Sequence, residues 1–129
     1  MTNYIYGTLE DDSLSGDTSS IGDFDDRIYG YSGNDVLLGA SGNDTVRGGE
    51  GDDILYATDG LGTSDSLFVE DEFGSYYTYA FNELYGASGD DALYGGDGYD
   101  YLYGGDGNDH LYGRELDDVL YGDAGDDRL

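Results

Sequence analysis

Gly86–Leu129 reads GASGDDALY GGDGYDYLY GGDGNDHLY GRELDDVLY GDAGDDRL, five consecutive units of nine residues in one register. Each unit opens on Gly, carries Asp in sixth place and an aliphatic residue in eighth, and most end on Tyr. Gly30–Tyr56 repeats the pattern as GYSGNDVLL GASGNDTVR GGEGDDILY. Looser copies surround these blocks: Gly7–Ser15 (GTLEDDSLS), and Ile21–Tyr29 (IGDFDDRIY) after five inserted residues. Segments ending at Phe68 (DSLF) and Tyr85 (NELY) keep only the second half of the unit. A fixed period repeated along a chain marks a stacked architecture, because one short unit cannot bury its apolar face alone. The pattern predicts about twelve turns in one continuous domain over residues 1–129.

Alternation along a strand sends the eighth residue to one face and its neighbours to the other. The eighth positions are Leu14, Ile28, Leu37, Val46, Leu55, Leu67, Leu84, Leu93, Leu102, Leu111, Leu120 and Leu129, all aliphatic as a buried seam requires. The Gly-rich first halves suit tight turns, which need positive φ and close backbone approach. Two units make one 18-residue coil, so turns stack with every second repeat.

The nonapeptide G-G-x-G-x-D-x-U-x resembles the RTX calcium-binding repeat family, and the resemblance runs over nearly the whole chain. It implies an all-β fold, a calcium-binding parallel β-roll (an RTX-type β-solenoid). The first six residues of each unit would form a turn and the last three a short strand. It further implies that calcium lies between stacked turns on the same side of the roll. The sixth-position Asp would supply carboxylate oxygens and backbone carbonyls would fill the shell.

Composition agrees with a cation partner. The chain carries 30 acidic residues against four Arg and no Lys, a formal charge of −26, with no Cys, no Pro and one His. Such charge excludes nucleic acid, whose phosphates need basic groups, and no apolar run approaches the length of a membrane span. Calcium takes six to eight oxygen ligands from carboxylates and carbonyls. The lack of thiols and the position of His110 outside the turns disfavour zinc and copper, and magnesium demands stricter octahedral geometry. The candidate ligands are Asp12, Asp26, Asp35, Asp44, Asp53, Asp65, Asp91, Asp100, Asp109, Asp118 and Asp127. Asp also favours turns for its own sake, but eleven at one phase outweigh that account.

Counting by 18 stacks Asp12, Asp35, Asp53, Asn82, Asp100 and Asp118 on one side, and Asp26, Asp44, Asp65, Asp91, Asp109 and Asp127 on the other. Ten same-side neighbours give roughly eight to ten Ca2+ ions. The strongest pairs are expected at Asp35/Asp53, Asp91/Asp109, Asp100/Asp118 and Asp109/Asp127, and the weakest around the neutral Asn82. Arg114 and Leu116, which replace Gly in the unit GRELDD, put that turn in question.

Residues 69–81 (VEDEFGSYYTYAF) break the period and read as a lateral loop or hairpin, either a tolerated insertion or a docking surface. Ninth-position Tyr29, Tyr56, Tyr85, Tyr94, Tyr103, Tyr112 and Tyr121 form outward ladders, through β-propensity and stacking or as a contact stripe for a glycan or cell surface. No nucleophilic triad is evident, so the chain reads as a non-enzyme. Sites of about 10⁻⁴–10⁻³ M affinity would stay empty in cytosol, which places the protein outside the cell. Two roles remain. One is an extracellular structural protein whose rolls stack head to tail into a filament or coat. The other is the RTX module of a larger exoprotein (toxin, exoenzyme or adhesin) exported by type I secretion. Asn3–Tyr6 and Leu129 leave open strand edges, as expected of a polymer subunit or of a truncated module.

Overall fold

The computed structural model describes residues 2–16, 25–40, 42–57, 66–71, 74–79 and 81–129. Its strands form two parallel sheets and one hairpin. The first sheet contains β1 (Asn3–Tyr6), β3 (Asp26–Ser32), β5 (Thr45–Glu50), β9 (Glu83–Ser88), β11 (Tyr101–Asp106) and β13 (Val119–Ala124). The second contains β2 (Ser13–Ser15), β4 (Val36–Leu38), β6 (Ile54–Tyr56), β10 (Ala92–Asp97) and β12 (His110–Glu115). Successive strands alternate between the sheets, so the chain winds as a parallel β-roll.

Register follows the eighth positions. Ile5, Ile28, Val46, Leu84, Leu102 and Leu120 pair in sequence across the first sheet. Leu14, Leu37, Leu55, Leu93 and Leu111 do so across the second. Eight of them, from Ile28 to Leu111, are 0–1% exposed and form one seam, with Ile5, Leu14 and Leu120 half-buried at its ends. Leu129 is exposed, while Arg128 bridges His110 at the edge of the second sheet.

One expected turn is absent from the roll. Leu67 pairs with Thr78 in an antiparallel hairpin of β7 (Ser66–Asp71) and β8 (Gly74–Tyr79), while β6 pairs directly with β10. The hairpin therefore opens three residues before the expected Val69, and the turn assigned to Leu67, one of the twelve expected, becomes part of the excursion.

The Gly pattern has a local cause. Gly49 has φ +128°, and a Cβ there would strike the Tyr31 carbonyl of the preceding coil. The GRELDD turn keeps this geometry without Gly: Arg114 and Leu116 adopt φ 85° and 76°, and Arg114 still pairs with Gly96.

Candidate metal centre

The sixth-position side chains point into the roll rather than into solvent. Asp26, Asp35, Asp44, Asp53, Asn82, Asp91, Asp100 and Asp109 are all buried. Asp35, Asp44, Asp53, Asn82, Asp91, Asp100 and Asp109 each use one side-chain oxygen to hold the previous coil on their own side. Asp35 Oδ1 accepts the N–H of Asp12 (2.8 Å), Asp53 that of Asp35 (2.8 Å) and Asp91 that of Asp53 (2.7 Å). Asp109 then accepts from Asp91 (2.8 Å) and Asp127 from Asp109 (3.0 Å). On the other side Asp44 accepts from Asp26 (2.8 Å), Asn82 from Asp44 (2.9 Å), Asp100 from Asn82 (3.3 Å) and Asp118 from Asp100 (3.0 Å).

These files correct the expected stacking. Asp53 neighbours Asp91, not Asn82, and Asp44 neighbours Asn82, not Asp65, which lies outside the described residues. Both neighbours are 38 residues apart instead of 18. The excursion therefore adds 20 residues to one coil, and everything after it sits on the side opposite to that expected from counting by 18. There are five neighbouring pairs on one side and four on the other, one fewer than expected. The four pairs expected to be strongest are all neighbours in the fold.

The second oxygen of these carboxylates has another fate. Oδ2 of Asp35, Asp44, Asp53, Asp91, Asp100 and Asp109 is buried with no hydrogen-bond partner. A buried lone pair left this way costs stability on the scale of kcal/mol unless a proton or a cation meets it. Desolvation pushes Asp44 and Asp91 up to about 7, and Asp53 and Asp100 up to about 6. It also raises Asp35, Asp109 and Asp118. The hydrogen bond each carboxylate accepts works against that rise, and neighbouring carboxylates reinforce it. Asp12 differs, because its Oδ2 accepts from Thr8 N–H (2.5 Å) and Thr8 Oγ1 (3.0 Å).

First-position Gly residues open a space beside each of these oxygens. A Cβ on Gly95 would lie 2.5 Å from Asp100 Oδ2 and 2.6 Å from the Gly113 carbonyl oxygen. On Gly39 it would lie 2.6 Å from both Asp44 Oδ2 and the Ala57 carbonyl. On Gly104 it would strike Asp109 Oδ2 and lie 2.8 Å from the Gly122 carbonyl. Each cradle thus brings together a carboxylate oxygen and the carbonyl of the next coil on that side. Among the described residues no three His, Cys, Asp or Glu side chains gather at one point. A cation here must therefore draw on backbone carbonyls, the hard-oxygen set that calcium accepts and softer metals do not.

Four overlapping or adjoining stretches, residues 21–55, 29–63, 85–118 and 103–129, match the RTX calcium-binding nonapeptide repeat. The chain belongs to that family. RTX repeats bind Ca2+, and proteins that carry them are typically secreted. The donor set in these turns fits such an ion. No individual curated protein matches the chain.

A second ladder in the RTX turns, built from fifth-position side chains, was missed by sequence reasoning. Asp11 Oδ1 accepts the N–H of Asn34, Asn34 that of Asp52, Asp52 that of Asp90, Asp90 that of Asn108, and Asn108 that of Asp126. This ladder reaches forward along the roll while the sixth-position ladder reaches back. The signal was the restriction of these places to Asn and Asp, side chains whose short carbonyl arm can accept a backbone N–H. Outside the turns, Tyr85–Tyr103–Tyr121 and Tyr56–Tyr94–Tyr112 stack at 4.8–5.1 Å. Arg47 replaces one rung, its guanidinium 4.8 Å from the Tyr85 ring centroid.

Proposed function

We propose that the chain is a non-enzymatic, calcium-completed β-roll that works outside the cell. One observation carries this reading: six buried Asp Oδ2 atoms without hydrogen-bond partners line the stacked turns. Ca2+ would rest on Asp26, Asp35, Asp44, Asp53, Asp91, Asp100, Asp109, Asp118 and Asp127 together with first-position carbonyls. Its chemistry there is structural, neutralising carboxylates that otherwise oppose folding. Calorimetric titration tests this: millimolar calcium should bind at multiple sites, with magnesium a poor substitute. Absence of calcium binding would defeat the reading.

Within that function we favour end-to-end stacking into a filament or surface coat. Among the described residues the outer edges of β1 and β13 carry no partner strand, and open edges pair readily. The tyrosine ladders would continue across such a junction. The same edges suit a second reading, in which further coils come from a larger exported protein that folds on meeting external calcium. Electron microscopy in millimolar calcium separates them, since filaments that dissolve on chelation support the first and dispersed monomers support the second.

A further inference from the structure

We propose that the gap between Asn82 and Asp100 is a rung closed without calcium, in which the Asn82 amide takes the place the ion holds in other rungs. The inference rests on the calcium reading above. Asn82 is fully buried, and its Oδ1 accepts the N–H of Asp44 as an Asp would. Its Nδ2 donates to Asp100 Oδ1 at 3.0 Å, and its backbone N–H reaches the same oxygen at 3.3 Å. A neutral amide thus presents hydrogen-bond donors to the next carboxylate, where the other rungs present a second anionic oxygen that has to be neutralised.

Two further departures fall on the same rung. The first place of this turn is taken by Ala57, whose N–H bonds the Tyr94 carbonyl at 2.9 Å just as Gly39 bonds Tyr56. Between Ala57 and Phe81 stand 23 residues where an ordinary unit has three between its first and fifth places. In the fifth place the Asn/Asp pairing gives way to Phe81 stacked on Tyr99, with centroids 5.4 Å apart. The Asn82 amide and the Phe81–Tyr99 pair each stand where other rungs carry an Asp carboxylate or an Asn/Asp pair.

The consequence is an asymmetric calcium complement. One file runs unbroken from Asp12 to Asp127, whereas the other is interrupted once, between Asn82 and Asp100. The described residues on either side of the excursion are held by backbone donors: Ala57 N–H to the Tyr94 carbonyl and Phe81 N–H to Asn43 Oδ1 at 2.9 Å. Neither bond involves an oxygen of the Asn82/Asp100 pair.

Anomalous scattering from calcium-loaded crystals of the full chain, with native mass spectrometry to count ions, decides the matter. Ions are expected at Asp91/Asp109 and Asp100/Asp118, with none between Asn82 and Asp100. Asn82→Asp should leave the ion count unchanged and raise the calcium concentration at the folding midpoint several-fold, because it replaces the Nδ2 donor to Asp100 with an anionic oxygen. An ion between Asn82 and Asp100 in the wild-type chain, or one gained by Asn82→Asp with the excursion intact, overturns the proposal alone. A chain that binds no calcium anywhere overturns the reading beneath it as well.

Discussion

Asp91 Oδ1 accepts the backbone N–H of Asp53 at 2.7 Å, across 38 residues of chain. The bond has the same form as that between Asp109 and Asp91, which are 18 residues apart. The roll therefore closes over a 20-residue excursion without losing its register. Coil-to-coil contact is set by the sixth-position Asp and the eighth-position aliphatic, and the extra residues enter between the first place, Ala57, and the fifth, Phe81.

Asp109 separates the two tasks of a sixth-position carboxylate. Asp109→Asn keeps an oxygen for the Asp91 N–H and removes the charge, so the fold should survive in saturating calcium while its calcium midpoint rises. Asp109→Ala also orphans that buried N–H and should cost a further ~1–3 kcal/mol. Urea unfolding at fixed free calcium, alongside calcium titration, distinguishes them. Equal behaviour of the two variants would show that the backbone bond contributes nothing.

Leu116 holds φ 76° at a place that Gly33, Gly42, Gly51, Gly89, Gly107 and Gly125 fill in other turns, all at positive φ. A left-handed conformation costs a side-chain-bearing residue roughly 1–2 kcal/mol. Leu116→Gly should therefore stabilise the calcium-loaded roll by about 1 kcal/mol, read as a higher urea midpoint. A lower midpoint would mean that the Leu116 side chain contributes packing that exceeds its strain.

Acid should partly replace calcium. Asp44 and Asp91 titrate at about 7 and Asp53 and Asp100 at about 6 in the folded chain, all raised by burial from 3.8. Between those values the folded state holds more protons than the unfolded one, so metal-free stability rises as pH falls. That contribution is complete below about 4 and lost as pH climbs through 6 and 7. Chelated protein should show more β-structure at pH about 5 than at pH about 8 by circular dichroism. Calcium affinity should run the other way, because binding displaces protons. A chelated chain with less structure in acid would contradict the assignment of the buried oxygens.

The seam was legible because nothing but an aliphatic occupies the eighth place from Leu14 to Leu129. The side on which each later Asp stacks was not. DSLF, at residues 65–68, has the local pattern of a roll strand, and pattern alone cannot tell a strand paired with β6 from one paired with its own hairpin. The available signal was the sixth place: counted from Ala57 in ATDGLGTSD, residues 57–65, it is Gly62, and Asp65 comes three residues late. Counting the excursion as a turn placed Asn82 beside Asp53, while the fold places it beside Asp44. The fifth-position ladder was hidden for a different reason. Asn and Asp are common in any turn, and only the stacking distance between coils gives their carbonyl oxygens a backbone partner.

The central claim is that the buried Asp oxygens need a cation before the roll can form at neutral pH. Circular dichroism of the full chain, first with chelator and then through a calcium titration, tests it most directly. The chelated chain should be largely unfolded, and millimolar calcium should restore the β-sheet signal in a cooperative transition. A chain that is fully folded at neutral pH and low salt without any divalent cation would contradict the account.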